Sequence, residues 1–224
     1  MITLHHLNNS RSQRVLWLLE ELGVPYEIVR YQRRPDMLAP AELRAVHPLG
    51  KSPVITDAGR TVAESGAIIE YLVDTYGEGK GLRPARGTPE HDRYTYWLHY
   101  AEGSAMPILL LKLVFLVMPK RTPALLRPLV GAIAKKAMAT ITDPQLKTHM
   151  QFWNDELVKG GSGWFAGPDL TGADIQMSFP LEAAASRIHL GPDHAAVRAF
   201  LDRIYARPAY RRAVEKGGPH ELMG

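Results

Sequence analysis

Asn9, Ser10 and Ser12 crowd the turn between a first short apolar run and the helical pattern after it. Hydroxyl and amide groups in such a place either cap the free N–H groups of the helix or, with its dipole, hold an anion. Glu64 and Ser65 mark a second place of this kind, where a strand gives way to a helix. Free backbone N–H groups, the dipole and the Ser65 hydroxyl make an anion site there, and capping alone does not call for the acid next door. Lys51-Ser52-Pro53 sets a flexible point charge beside an X-Pro bond at the start of a strand. Arg11 adds positive potential to the first turn or is simply solvated, and His47 reads as packing in the loop before Lys51. His5 and His6 are adjacent in a strand, so they point to opposite faces and cannot chelate one ion. No metal site is expected.

Composition supplies no other chemistry. The 224 residues include no cysteine, which excludes disulfides, thiolate metal sites and a cysteine nucleophile. Lys and Arg number 27 against 23 Asp and Glu, a net charge of +4, with no run of five or six basic residues. That balance argues against nucleic acid as a partner. The most apolar stretch, 107–118, is interrupted by Lys112 and shorter than a bilayer requires, so membrane contact is not expected. The opening MITLHHLNNS lacks a signal-peptide core, and a cytoplasmic protein is the expectation.

The elements that position these residues follow from periodicity. Residues 2–7 read as a strand; Val15, Leu18, Leu19 and Leu22 recur at helical spacing and stop at Gly23; Val24, Tyr26 and Ile28 alternate as a second strand. A short helix over 40–46 ends at His47-Pro48-Leu49-Gly50. Segments 53–56 and 60–63 flank the turn Asp57-Ala58-Gly59, and 64–76 is a helix stopped by Gly77. Two strands joined by a helix, then a hairpin and a helix, give an α/β domain over 1–78. Residues 77–89, with four glycines and two prolines, are a linker. From 90 to 224 the pattern is all-helical. It holds a long helix over 91–115 kinked at Pro107, an apolar and basic span over 123–138, and a helix restarted by Asp143-Pro144 and running to 158. A capping box follows at Thr171 and Asp174, with Leu170 stapled to Ile175, and then two helices over 195–205 and 209–214. Thr171 and Asp174 are structural in this reading.

Four segments in this order resemble the cytosolic glutathione S-transferase superfamily almost end to end: NNSRSQRVLWLLEELGVPYEI, HPLGKSPVITD, ESGAIIEYL and LTGADI. The S-R-x-x-R-x-x-W pattern is similar to the serine-type bacterial and fungal members. The resemblance implies a thioredoxin-like N-terminal domain that binds glutathione, an all-α C-terminal domain forming the second-substrate pocket, and a homodimer. It also implies a cis Pro53, with the backbone of Ser52 open to a peptide-like ligand, although relatives more often carry Val or Ile at that position. By the same resemblance Ser65 holds the γ-glutamyl carboxylate, Glu64 faces its ammonium and Lys51 the glycyl carboxylate. Counting back from Arg14 and Trp17 puts Ser10 at the hydroxyl that holds the thiolate, with Asn9 its chief rival and an N-cap the plain alternative. No tyrosine precedes Tyr26 and there is no cysteine, which removes the tyrosine- and cysteine-type versions. The Ser-Ser-Cys turn of maleylacetoacetate isomerases is absent too.

The implied activity is conjugation of glutathione, as co-substrate and without a further cofactor, to small hydrophobic electrophiles in detoxification. Reduction of peroxides or disulfides, or non-catalytic carriage of glutathione and hydrophobes, are the alternatives. Tyr96, Tyr100, Met106 and Leu110 are the expected lining of the second-substrate pocket. Residues 118–141 exceed an ordinary helix connection, and the sequence leaves their role between covering the pocket, extending the dimer and touching a membrane surface.

Overall fold

The computed structural model describes residues 1–36, 38–188 and 190–218. Its sheet has four strands in the order β2-β1-β3-β4. β1 (Ile2–Leu7) runs parallel to β2 (Tyr26–Tyr31), with Ile2 opposite Tyr26 and Leu7 opposite Tyr31. The crossover between them is α1 (Ser12–Leu22), closed where Gly23 takes a φ of 68° and its N–H bonds Leu19 O at 3.0 Å. After the short α2 (Leu43–Val46), β3 (Val54–Asp57) pairs antiparallel to β1 and to β4 (Arg60–Ala63). Ala58 and Gly59 carry φ of 48° and 79° between β3 and β4, the left-handed pair that a two-residue hairpin loop requires. α3 (Ser65–Tyr76) then buries Ile68, Ile69, Leu72 and Val73. The expected α/β order is thus the observed one.

The helical part adjusts at two prolines by the same device, and at the second it departs from expectation. α4 (Pro89–Tyr100), capped by Thr88, which accepts from His91 N at 3.2 Å, passes through a π-helical turn (Ala101–Ala105) into α5 (Met106–Val117). α6 (Arg127–Ala137) likewise passes through a π turn (Met138–Thr142) into α7 (Asp143–Gly160). Asp143-Pro144 therefore does not restart a helix. Thr142 makes no side-chain cap, and the Asp143 carboxylate accepts from Lys112 Nζ at 2.5 Å instead. In both places the proline is the second residue after the wide turn. A proline ring collides with the carbonyl four residues back, and a turn with one extra residue carries that carbonyl aside.

Continuity also corrects the membrane expectation in one respect. With α4 and α5 joined, residues Pro89–Arg121 form a single helix long and apolar enough, by length and composition alone, to cross a membrane. Three of its charges are nevertheless paired within the protein: Arg93 to Glu156, Glu102 to Arg11 and Arg14, and Lys112 to Asp143. That is the pattern of a domain helix.

α8 (Gly172–Ala185) lies at the centre, and each of its residues from 172 to 184 is buried. A Cβ at Gly172 would stand 2.8 Å from Ile69 Cγ2 and 3.1 Å from Tyr94 Oη, so only glycine lets α8 start between α3 and α4. The capping box is formed: Asp174 Oδ2 accepts from Thr171 N at 2.8 Å and Thr171 Oγ1 at 2.7 Å, and Oδ1 from Phe165 N at 2.6 Å. α9 (Ala195–Ala206) leads into α10 (Pro208–Gly217), which packs on α1. There Tyr210 meets the edge of Trp17 at 5.4 Å, Arg207 grips both oxygens of Glu21, and Arg212 and Lys216 each bond Glu20 at 2.6 Å.

Candidate active site

The end of β1 delivers Asn8, Asn9 and Ser10 to the mouth of a cavity of about 960 Å³. Asn9 adopts a φ of 49°, which turns the chain sharply before α1 begins. Ser10 is buried, and its hydroxyl is engaged inward. It donates to Leu7 O at 2.7 Å, accepts from Ser12 N at 3.2 Å and lies 2.8 Å from Ser12 Oγ. Ser12 in turn bonds His6 Nδ1 at 2.9 Å. Ser10 thus caps the first turn from within, and it lines the cavity.

A smaller cavity of about 190 Å³ adjoins this one and shares Arg11 and Ser52 with it. It gathers Lys51, Ser52 and Pro53 from the start of β3 with Glu64 and Ser65 from the start of α3. The Ser52–Pro53 bond is cis, and the Ser52 side chain does what the strand backbone no longer can. Its Oγ donates to His5 O at 2.9 Å and accepts from Leu7 N at 3.3 Å, extending the β1–β3 ladder. The Ser52 backbone makes no backbone hydrogen bond among the described residues, which leaves its N–H and C=O to a ligand strand. Glu64, at the N-cap of α3, has φ 70° and ψ 123°, a conformation costly for a side chain with a Cβ. His47 also lines the smaller cavity, its own N–H bonded to Leu43 O at 3.1 Å.

Two residues that sequence reasoning passed over complete the site. Arg14, fully buried on α1, donates to Ser65 Oγ at 2.6 Å and to Gln176 O at 2.7 Å, and pairs with Glu102. Burial pushes its guanidinium down from the ordinary value, and the Glu102 carboxylate opposes that shift. With the Ser65 oxygen accepting from Arg14, the Ser65 hydrogen is left to donate. Glu102, from the π turn after α4, also bonds Arg11 at 3.0 Å and lines the small cavity. The signal for both was a lone charge inside an apolar helical pattern.

The larger cavity takes its apolar wall from α5 and α8: Met106, Leu110, Leu113, Val114, Val117 and Phe179. Met106 and Leu110, two of the residues expected at a second-substrate pocket, line this cavity. Tyr96 and Tyr100 do not, because they face the opposite side of their helix. Tyr100 bonds His149 and accepts from Trp153 Nε1 at 3.1 Å, with Tyr96 stacked on it at 5.5 Å. The same cavity is lined by Arg11, Arg33, Arg34, Arg121 and Arg187, an accumulation that sequence reading did not find. Burial lowers the guanidinium pKa of Arg33, with Arg11 adding to the effect, and that of Arg187. His5 and His6 do diverge, His5 toward Tyr31 and Thr56 and His6 toward Ser12 and Gly217.

This geometry has known counterparts. Residues 10–75 match the glutathione S-transferase N-terminal domain family and residues 117–208 the C-terminal domain family. The chain is 36% identical to glutathione S-transferase 3 of Schizosaccharomyces pombe, over 96% of this chain and 88% of that one. It is 33% identical to glutathione S-transferase 1 of Saccharomyces cerevisiae, over 96% and 95%. Among solved structures, a glutathione S-transferase of Actinobacillus pleuropneumoniae superposes with a TM-score of 0.75 at 34% identity, covering 99% of this chain and 95% of the other. The chain belongs to the glutathione S-transferase family.

Proposed function

We propose that glutathione occupies the smaller, polar cavity and that its thiolate attacks an electrophile held in the larger, apolar one. The observation that carries this reading is the shared wall. A tripeptide strand paired with the Ser52 backbone lies along the seam of the two cavities, with Asn9 and Ser10 beside its thiol. Ser65, backed by Arg14, receives the γ-glutamyl carboxylate at the N-terminus of α3. Glu64 and Glu102 offer carboxylates to the ammonium, and Lys51 pairs with the glycyl carboxylate. Reduced glutathione is the co-substrate, so the cytoplasm suits the enzyme.

Exposed apolar side chains offer contact area for a second copy. They include Leu49 before β3, Tyr96 on α4, and Leu125, Leu126, Leu129 and Ile133 around α6. The reading therefore includes a homodimer.

The test is calorimetric titration with glutathione. Ser65→Ala loses a charge-assisted hydrogen bond and weakens binding by about 1.5–3 kcal/mol, an effect that appears in KM more than in kcat. Unchanged affinity reduces Ser65 to a helix cap and removes the clamp from the reading. A panel of halogenated aromatics, epoxides, hydroperoxides and a small disulfide then sorts conjugation from reduction, and turnover of none leaves a carrier.

A further inference from the structure

The five arginines of the larger cavity are not needed to hold an apolar electrophile. No Asp or Glu is among the sixteen residues lining that cavity, so its wall is cationic as well as greasy. Of the carboxylates at its edge, Glu102 is shared between Arg11 and Arg14, and Asp36 pairs with Arg34 at 2.9 Å. Backbone carbonyls orient three of the arginines: Arg33 donates to Asn9 O at 3.1 Å, Arg187 to Leu109 O at 3.1 Å and Arg121 to Asp36 O at 3.4 Å. A carbonyl fixes the direction of a guanidinium. The arginines converge from the turn after β1, the loop after β2 and the segments after α5 and α8, and share the cavity with the apolar residues of α5 and Phe179. Beside low-dielectric walls such charges act more strongly than in open water, and guanidinium groups match carboxylates and related oxyanions in two-point geometry.

We infer that the second substrate of this site is an amphipathic electrophile, with an anionic head for the arginines and an apolar body, bearing the reactive carbon, for the α5 wall. The inference rests on the glutathione reading above. With a chloroarene the thiolate sulfur forms the new C–S bond, the C–Cl bond breaks, and chloride leaves with the electron pair. The thiol proton has already gone to solvent.

The experiment compares 4-chloro-3-nitrobenzoate with its neutral methyl ester, each kcat/KM divided by the uncatalysed rate constant with glutathione. Wild type, Arg34→Gln/Arg121→Gln and Arg34→Lys/Arg121→Lys are assayed, with melting temperatures to confirm folding and calorimetry to measure glutathione affinity. The enhancement for the acid should exceed that for the ester about tenfold. The glutamine pair should erase most of that preference, largely through KM, the lysine pair should restore part of it, and 0.5 M salt should weaken it. Equal enhancement of acid and ester, or a preference that survives the glutamine pair, overturns the inference. So does a loss of glutathione affinity in that pair as large as the loss for the acid, because the arginines then serve the tripeptide. If wild type binds glutathione and conjugates the ester alone, only this inference falls. Absent glutathione binding brings down the reading beneath it.

Discussion

At the scale of single residues, Ser10 is the point where capping and chemistry compete. Its hydroxyl is donated to Leu7 O and its oxygen accepts from Ser12 N, so the cap is in place before any ligand arrives. To hold a thiolate, the hydrogen must leave Leu7 O and turn toward the cavity. If it does, Ser10→Ala raises the pKa of bound glutathione thiol, each unit being about 1.36 kcal/mol of lost preference for the thiolate. Conjugation near neutral pH then falls roughly ten- to a hundredfold, and part of the loss returns as pH rises. A cap that does no chemistry gives lower stability with an unmoved pH–rate profile. Asn9→Ala is the companion measurement by thiolate absorbance. A titration that moves with Asn9 and stays put with Ser10 assigns the thiolate to Asn9, whose left-handed backbone already sets it at the cavity wall.

At the scale of elements, the start of α8 and the grip of α10 on α1 respond to pH in opposite senses. Asp174 is wholly buried, and desolvation, partly offset by hydrogen bonds from Phe165 N and Thr171, pushes its carboxyl up to about 6. An acid whose pKa is raised on folding binds its proton more tightly in the native state. Its contribution to stability is therefore full below the unfolded value and falls as pH rises toward about 6. Glu20 is the reverse case. Burial alone would raise it, but hydrogen bonds from Lys216, Tyr26 and Arg212 hold it at about 2. Its stabilisation is present above the ordinary carboxylate range and drains away as the pH drops toward about 2. Chemical denaturation across pH 3–7 checks both. Asp174→Asn should remove a component that declines between about pH 4 and 6, and Glu20→Gln one that declines below about pH 4.5. Thr171→Ala should cost roughly 0.5–2 kcal/mol with glutathione affinity nearly intact. A selective loss of that affinity at unchanged melting temperature would show the box touching the ligand.

At the scale of the whole molecule, α8 joins the two halves of the site. It supplies Phe179 to the apolar cavity and the Gln176 carbonyl that steadies Arg14 behind Ser65. The apolar wall of the larger cavity and the Ser65 end of the smaller one are thus anchored on one buried helix. Arg14→Ala leaves Glu102 without its buried partner and should destabilise the fold and weaken glutathione binding together, as calorimetry and thermal unfolding would record. Leu125, 90% exposed, with Leu126, Leu129 and Ile133, forms an apolar surface beyond the needs of a monomer. Light scattering at micromolar concentration should show twice the 24.9 kDa chain mass. Monomer alone at that concentration removes the dimer from the proposal.

Local signals were enough to read every strand of the sheet, α1, α3 and the box that opens α8, because each is written in neighbouring residues: alternation, helical spacing, Gly23 after its helix, Thr171 three residues before Asp174. The cis bond before Pro53 was legible only through resemblance, since nothing local distinguishes it from a trans one. The proline at 144 misled for a physical reason, while the one at 107 marked a real adjustment. A proline announces that a helix must adjust, and the packing of the finished domain decides whether it stops, kinks or widens into a π turn. Tyr96 and Tyr100 carry the helical spacing of a pocket wall, yet spacing defines a face without saying which neighbour that face meets; His149 and Trp153 claimed it. The arginine-lined cavity was out of reach for the same reason. Arg33, Arg121 and Arg187 lie scores of residues apart, each ordinary in its own stretch, and only the closure of the chain around α5 and α8 brings their charges to a single wall.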